Sequence, residues 1–402
     1  MERADVIILG GGLIGLTLAI ALDRHGLSSI VVDPADPRVL DAPGYDGRAT
    51  AIASASWRML EAIGVAGALK DHGCPIEAIR ISDGLAPGGL VFEPDAAGGP
   101  LGIMVENRLL RSTLREAAQQ AHNVALLMPA QVGEVVRDGA GVRIALADGR
   151  LIAAPLLIGA EGRMSPTREA AGIRIARWRY DHAAIIVTVT HERPHGNVAC
   201  EIFYPSGPFA ILPMLPGTRS AIVWSVPARD APAVLDLPDR ALAAEIEKRM
   251  GGFLGPLALA GGRASYQLGF HHAARITAER LALAGDAAHG IHPIAGQGLN
   301  LGMRDVAALA QVLIEGARVG LDLGDAQLLA RYERWRSLDT LMVAAATDSL
   351  TRLYAVPGRT ASAVRRLGMG AVQRLRPMKD WLMAEARGEN GDLPLLLRGL
   401  TI

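Results

Sequence analysis

The spacing of apolar and polar positions changes several times along the chain. Residues 4–9 (ADVIIL) form a short run rich in Val and Ile that ends in glycine, the pattern of a strand covered on both faces. Residues 13–25 are apolar on every side, which predicts a buried helix. Residues 29–33 (SIVVD) return to a short strand, completing a β–turn–α–β unit. Helical spacing follows around 54–70 and 108–121. Residues 124–157 predict strands with turns at 138–141 (DGAG) and 147–150 (ADGR), the second an Asp-Gly hairpin signal. Residues 183–226 are the most strand-like region, with AAIIVTVTHE, CEIFYP, FAILPML and SAIVWSV separated by Pro and Gly. Helices are predicted over 239–250, over 304–317 and from 325 onward, with breaks at Pro357-Gly358 and Pro377. The fold class that results is α/β: a nucleotide-type domain, interrupted by a mostly antiparallel β region and followed by C-terminal helices.

Composition narrows the function. A chain of 402 residues is too long for one ordinary core. Apolar residues at 50% and charged residues at 20% describe a globular protein rather than a disordered one. The 41 basic and 41 acidic residues cancel, so no global field draws in nucleic acid. Cys74 and Cys200 have neither metal-ligand spacing nor a disulfide framework, which fits a reducing cytoplasm. The uncharged stretch 6–22 is broken by three glycines and flanked by Asp5 and Asp23. It is also shorter than the ~20 residues of a membrane span. The expected location is cytoplasmic, with contact at the periphery of the inner membrane left open.

Two motifs carry chemistry. Gly10, Gly12 and Gly15, with Leu13 and Ile14 between the last two, form a GxGxxG between the first strand and the first helix. The expected roles are a tight turn at Gly10, approach of a pyrophosphate at Gly12 and helix–strand packing at Gly15. Asp33 ends the second strand 21 residues after Gly12, where a ribose-hydroxyl acceptor belongs. An acid there favours FAD or NAD over NADP at this site. The second motif is LALAGDAAHGIHPIAGQGLN over 281–300. Asp286 is an acceptor suited to polyol hydroxyls, and Gly296 and Gly298 permit the approach of a flat ring. The helix that follows favours developing negative charge at its N-terminus. His289 and His292 are read as structural hydrogen-bonding histidines, and Met342, Met369, Met378 and Met383 as core or gap-filling residues.

These motifs, with LLIGAEGRMSPTR over 156–168, resemble the single-component flavoprotein aromatic hydroxylases. Glu161 stands where that superfamily usually has Asp. The segments DGRATAIASAS (46–56), VENRLLRSTL (105–114), FYPSGPFAILPM (203–214), HPIAGQGLNLGMRDVAAL (292–309) and the tail 376–399 narrow the resemblance to the UbiH-type ring hydroxylases of ubiquinone biosynthesis, along essentially the whole chain.

The resemblance implies a Rossmann-like FAD-binding domain over 1–75, 101–178 and 271–320. It implies an inserted substrate domain over 76–100 and 179–270, and a C-terminal helical region over 321–402. Gly10, Gly12, Leu13, Ile14 and Gly15 would hold the FAD pyrophosphate and Asp33 the adenosine ribose. Arg48, Asn107 and Arg108 would lie beside the cofactor. Glu161, with Arg168, would contribute to FAD and pyridine-nucleotide contacts, and Asp286 would bind the ribityl chain. Pro293, Gly296, Gln297, Gly298, Leu299 and Asn300 would line the isoalloxazine. The implied reaction is hydroxylation of a lipophilic, polyprenylated phenol with O2 and NADPH (or NADH), through a flavin C4a-hydroperoxide. No side chain stands out as a catalytic base. Contact with a membrane surface or a Ubi complex is left open, as is the oligomeric state. Hydroxylation of a small soluble phenol and a flavin-bearing scaffold are the rival readings.

Overall fold

The short Val/Ile runs of the sequence meet in a six-stranded sheet. Its order is Thr277–Ala278, Leu281–Leu283, Leu156–Gly159, Val6–Leu9, Ser29–Val32, Val124–Leu127. All neighbours are parallel except the first pair. The computed structural model describes residues 1–40, 42, 48–87, 89–94, 98–290, 297–337, 365, 368–370 and 372–402. From Val6–Leu9 the chain first builds outward through the helix Leu13–Asp23 to Ser29–Val32. It later adds Leu156–Gly159 on the opposite side of Val6–Leu9. That reversal creates a crevice beyond the carboxyl ends of the strands, where open α/β sheets bind ligands.

The helix Leu13–Asp23 is buried over most of its length. It packs against the helices Asn107–Gln120 and Gln297–Arg318. Gly302 permits the second contact, because a Cβ there would lie 2.6 Å from Ile14 Cδ1. The helix expected over 304–317 begins at Gln297, within the glycine-rich loop. Its first turn is the one that reaches the crevice.

An eight-stranded sheet forms the second layer. Its order is His289–Gly290, Leu257–Ala273, Ile175–His191, Arg219–Pro227, Gly207–Met214, Val198–Tyr204, Ala78–Asp83, Leu90–Phe92. Only the pairing of Val198–Tyr204 with Ala78–Asp83 is parallel. The pleat gives this sheet two faces. Ile185, Val187, Ile202, Phe209, Ile222 and Trp224 bury one face against Leu242, Ile246 and Met250 of the helix Asp239–Met250. The other face looks into the crevice. The strand Ile175–His191 starts eight residues before the apolar pattern does, because its polar beginning is held by pairing with Leu257–Ala273. These two strands run across both ends of the segment 179–270. Among the described residues, no helix is long and apolar enough to cross a membrane.

Candidate functional site

One cavity of about 1830 Å³ extends from the ends of the parallel strands to the open face of the eight-stranded sheet. A pocket for a single drug-sized ligand measures roughly 300–1,000 Å³, so this space accommodates a large cofactor together with a second molecule.

The cofactor side is built from backbone. Gly10 has φ +112°, and a Cβ there would sit 2.3 Å from Ala160 O, so this residue seals the joint between two strand ends. A Cβ on Gly15 would lie 1.9 Å from Gly10 O, which fixes the helix against the turn. Gly12 differs: a Cβ there would meet nothing within 4 Å, and the residue lines the cavity with Leu13 and Ile14. Gly12 is also the N-cap of the helix Leu13–Asp23, with no side-chain cap. Bare amide groups at a helix N-terminus beside a glycine fit the diphosphate of a dinucleotide. Gly298 repeats the arrangement, open to the cavity in the first turn of Gln297–Arg318.

The acids of this side divide between binding and bracing. Asp33 accepts hydrogen bonds from Gly11 N at 2.7 Å and Ala35 N at 2.8 Å, so it pins the glycine turn while also lining the cavity. Asp286 is exposed to the cavity. Glu161 turns back on its own loop and accepts from Ser165 Oγ at 2.6 Å and Thr167 Oγ1 at 2.8 Å. Burial raises the pKa of its carboxyl, against the effect of these hydrogen bonds and of Arg168. Arg168 is buried and donates to Ala287 O and Arg163 O, tying the 161–168 loop to the 285–287 turn. It does not line the cavity.

The remaining expected residues are distributed unevenly. Arg48 lies over the Tyr266 ring at 5.1 Å, and its carbonyl accepts from Asn107 N at 2.9 Å. Both Arg48 and Asn107 line the cavity. Arg108 is exposed and away from it. The helix Asn107–Gln120 brings Arg111, four residues after Asn107, to the cavity, so the expectation at 108 falls on the wrong side of the helix. Gln297, Leu299 and Asn300 line the cavity. Asn300 also accepts from Ala53 N and donates to Ala51 O, both at 2.9 Å, clipping the helix start to the strand Ala49–Ala53. Pro293, Gly296, His292 and Met342 lie outside the described residues.

Sequence reasoning missed a buried brace behind the 285–286 loop. Asp305 is fully buried and contacts His289 Nε2 at 2.6 Å and Arg336 Nε at 2.7 Å. It also accepts from Gly285 N at 2.9 Å. Burial disfavours its charge, but His289 and Arg336 outweigh burial and hold its pKa below the usual carboxylate value. His289 is structural, as its sequence context suggests.

The opposite wall is built from side chains. The register aligns Ile81, Glu201, Ala210, Val223 and Ile186 in one row across five strands. All five line the cavity, and so do Ala184, Ser225, Pro208 and Phe203 of a neighbouring row. Glu201 is the one carboxyl that the sheet contributes to this lining among the described residues. It has no hydrogen-bond or ion-pair partner among them, and burial pushes its pKa up to about 7. The sequence signal was an acid amid the apolar alternation of CEIFYP; only the register shows which row it joins. Met369, Val372, Trp381 and Leu382 line the cavity from the C-terminal segment. Met369 and Met383 join the apolar cluster of Ile76, Leu90 and Phe92, whereas Met378 is 47% exposed.

The family described as "FAD binding domain" matches residues 3–346. Ubiquinone hydroxylase UbiL of Rhodospirillum rubrum is 46% identical, over 99% of this chain and 94% of its own length. The 3-demethoxyubiquinol 3-hydroxylase of Escherichia coli is 32% identical, over 96% of this chain and 99% of its own. Among solved structures, p-nitrophenol 4-monooxygenase PnpA from Pseudomonas putida has a TM-score of 0.80 at 16% identity, covering 97% of this chain and 99% of that one. PqsL of P. aeruginosa, in complex with 2-aminobenzoylacetate, has a TM-score of 0.77 at 23% identity, covering 90% and 99%. These two structures share the fold.

Proposed function

The chain belongs to the UbiH-type family of FAD-dependent ring hydroxylases, and on that premise we propose that it hydroxylates the aromatic ring of a polyprenylated phenol in ubiquinone biosynthesis. NAD(P)H and O2 are its co-substrates. The observation that carries the substrate class is the cavity wall: the eight-stranded sheet lines it mainly with Ile, Val, Leu, Ala, Pro and Phe, and among the described residues its strands contribute no Lys or Arg to it. An aromatic acid needs a cation for its carboxylate, since an unpaired charge is costly to bury. A prenyl chain needs apolar length, gaining roughly 0.8 kcal/mol per buried CH2.

The residues present fit FAD. Gly12 and the N-terminus of Leu13–Asp23 would hold the diphosphate, Asp33 the adenosine ribose and Asp286 the ribityl chain. Gln297, Gly298 and Leu299 would face the flavin ring. Bound FAD supplies the redox chemistry that couples NAD(P)H to O2. The protein orients the ring between the two walls, and the apolar wall excludes the water that would uncouple the reaction. The first turns of both helices, at the positive ends of their dipoles, favour negative charge on the cofactor.

The exposed side chains of Leu375, Met378 and Trp381 sit with Arg376 and Lys379 at the C-terminal edge, where Trp381 also lines the cavity. This edge suits a membrane surface with anionic lipid, from which a lipophilic phenol would enter.

The test supplies purified holoprotein with NAD(P)H, O2 and either a prenylated phenol or 4-hydroxybenzoate. Hydroxylated product in near-equal yield to NAD(P)H consumed is expected with the prenylated phenol alone. Coupled hydroxylation of the small acid, with no response to the prenylated phenol, overturns the reading.

A further inference from the structure

Glu201 has no part in the cofactor scaffold and no partner that explains its burial. It projects from the strand Val198–Tyr204 into the cavity, between Ile81 and Ala210 in register and with Val223 and Ile186 further along the row. A wall made only to hold hydrocarbon would have another valine here, as it does at 223. An unpaired carboxyl among apolar side chains is unfavourable to the fold. Such groups concentrate where a proton must move.

We propose that Glu201 is the general base of the substrate site and the residue that selects neutral phenols over aromatic acids. The proposal rests on the reading of this cavity as a phenol site. In the step, the Glu201 carboxylate takes the phenolic proton, the O–H bond breaks, and the electron pair left on oxygen enriches the ring. The enriched ring carbon forms its new C–O bond with one atom of O2. The other atom leaves as water, with the two electrons drawn from NAD(P)H. The hydrogen at that carbon departs as a proton when aromaticity returns, and Glu201 then gives its proton back. As a carboxylate, the same group repels a carboxylate on the substrate; as an acid or a base, it forms a hydrogen bond with a phenol.

The surroundings support this role. A pKa of about 7 leaves both protonation states populated near neutrality, the condition for an effective base. Arg80 pairs with Cys200, one residue before Glu201, and does not line the cavity. Cys200 does border the cavity beside Glu201, but burial pushes its thiol pKa up to about 11, so it stays protonated where Glu201 titrates. Asp83 is paired with Arg365 at 3.3 Å. Arg48, Arg111 and Arg304 border the cavity from the cofactor side, Tyr266 from the strand Leu257–Ala273 of the same sheet as Glu201, and Arg365 and Glu385 from the C-terminal segment.

The experiment measures coupled hydroxylation of a prenylated phenol against pH for the wild type, Glu201→Gln and Glu201→Asp, with FAD content and NAD(P)H-driven flavin reduction measured alongside. The wild-type kcat/KM should rise with pH to a plateau above about 7. Glu201→Gln should lose that limb and about 100-fold in rate, with FAD content unchanged; Glu201→Asp should restore part of both. Glu201→Gln should also bind 4-hydroxybenzoate more tightly than the wild type does. A Gln variant with wild-type coupling and pH profile overturns the proposal. If that variant fails to retain FAD, a flat wild-type profile between about pH 6 and 8 overturns it equally. If the wild type prefers a small phenol, but the limb is present and disappears in Glu201→Gln, the lipid reading fails and the base assignment stands.

Discussion

The two walls of the cavity are made in opposite ways. On the parallel-sheet side the surface is largely main chain: Gly12 and Gly298 present no side chain, and each stands in the first turn of a helix or at its cap. On the antiparallel side the surface of the central strands is built from side chains, with Glu201 set among Ile81, Ala210, Val223 and Ile186. A diphosphate and a flat ring are common ligands and are met by backbone amides. A particular phenol is met by the shape and polarity of a particular row of side chains. Substitutions should therefore separate: on the first wall they should cost the cofactor or the fold, and on the second they should alter chemistry and substrate choice.

The largest contrast lies within the first wall. Gly15→Ala should abolish folding, since its Cβ would overlap Gly10 O at 1.9 Å. Gly12→Ala has room to fold but occupies the space open for the diphosphate. Far-UV circular dichroism should be lost in the first variant and kept in the second, which should purify without flavin.

Next in size is Asp305→Ala. It leaves His289 and Arg336 buried beside the vacated position, and breaking such a pair costs about 3–5 kcal/mol. A large fall in Tm of the holoprotein is expected. Because the pKa of Asp305 is lowered in the folded state, its contribution is present above the ordinary carboxylate range and is lost as pH falls below it. The wild-type Tm should fall on acidification through this range more steeply than that of Asp305→Asn.

A smaller effect distinguishes the two cavity acids. Asp286→Ala should weaken FAD binding tenfold or more, corresponding to roughly 1.5–3 kcal/mol for a charge-assisted hydrogen bond, with little effect on the apoprotein. Asp33→Ala should weaken FAD less and lower apoprotein Tm, because Asp33 pins Gly11 N and Ala35 N. Flavin titration and apoprotein melting check both. Equal effects on FAD would remove the reason to place Asp286 at the reactive half of the cofactor.

The smallest expected effect belongs to Glu201. Its folded pKa is raised from 4.5 to about 7, so the unfolded chain releases the proton first as pH rises. Stability is therefore lost between about pH 4.5 and 7 and not recovered above. Glu201→Gln should melt a few degrees higher than the wild type at pH 8 and at the same temperature near pH 4.5. A lower Tm at pH 8 would show that the carboxyl has a stabilising partner.

The first wall was legible because its glycines and acids occupy fixed places relative to the strand ends. Gly12, Asp33, Gln297 and Gly298 line the crevice, and Gly10 and Gly15 pack the turn behind it. Gly10 does more than turn the chain: its missing Cβ admits Ala160 from a strand about 150 residues away, a contact that spacing alone does not reveal. Asp305 and Arg336 were hidden for the same reason, since their pairing joins two helices through the core. Arg108 was misplaced by one helical position, because the boundary of Asn107–Gln120 decides which residue faces in. The second wall was legible as strands but not as a surface. Alternation says that every second residue shares a face; the pairing of Glu201 with Ile81 and Ala210 says which face and beside what.

The central claim is that one cavity holds the flavin between a backbone wall and a lipophilic phenol site. Its most direct test is a titration of the oxidised holoprotein with phenols of increasing prenyl length, followed by the flavin absorbance spectrum. A saturable perturbation of the flavin spectrum is expected, with affinity rising for each added prenyl unit until the apolar wall is covered. An affinity independent of prenyl length, or binding that leaves the flavin spectrum unchanged, would contradict it.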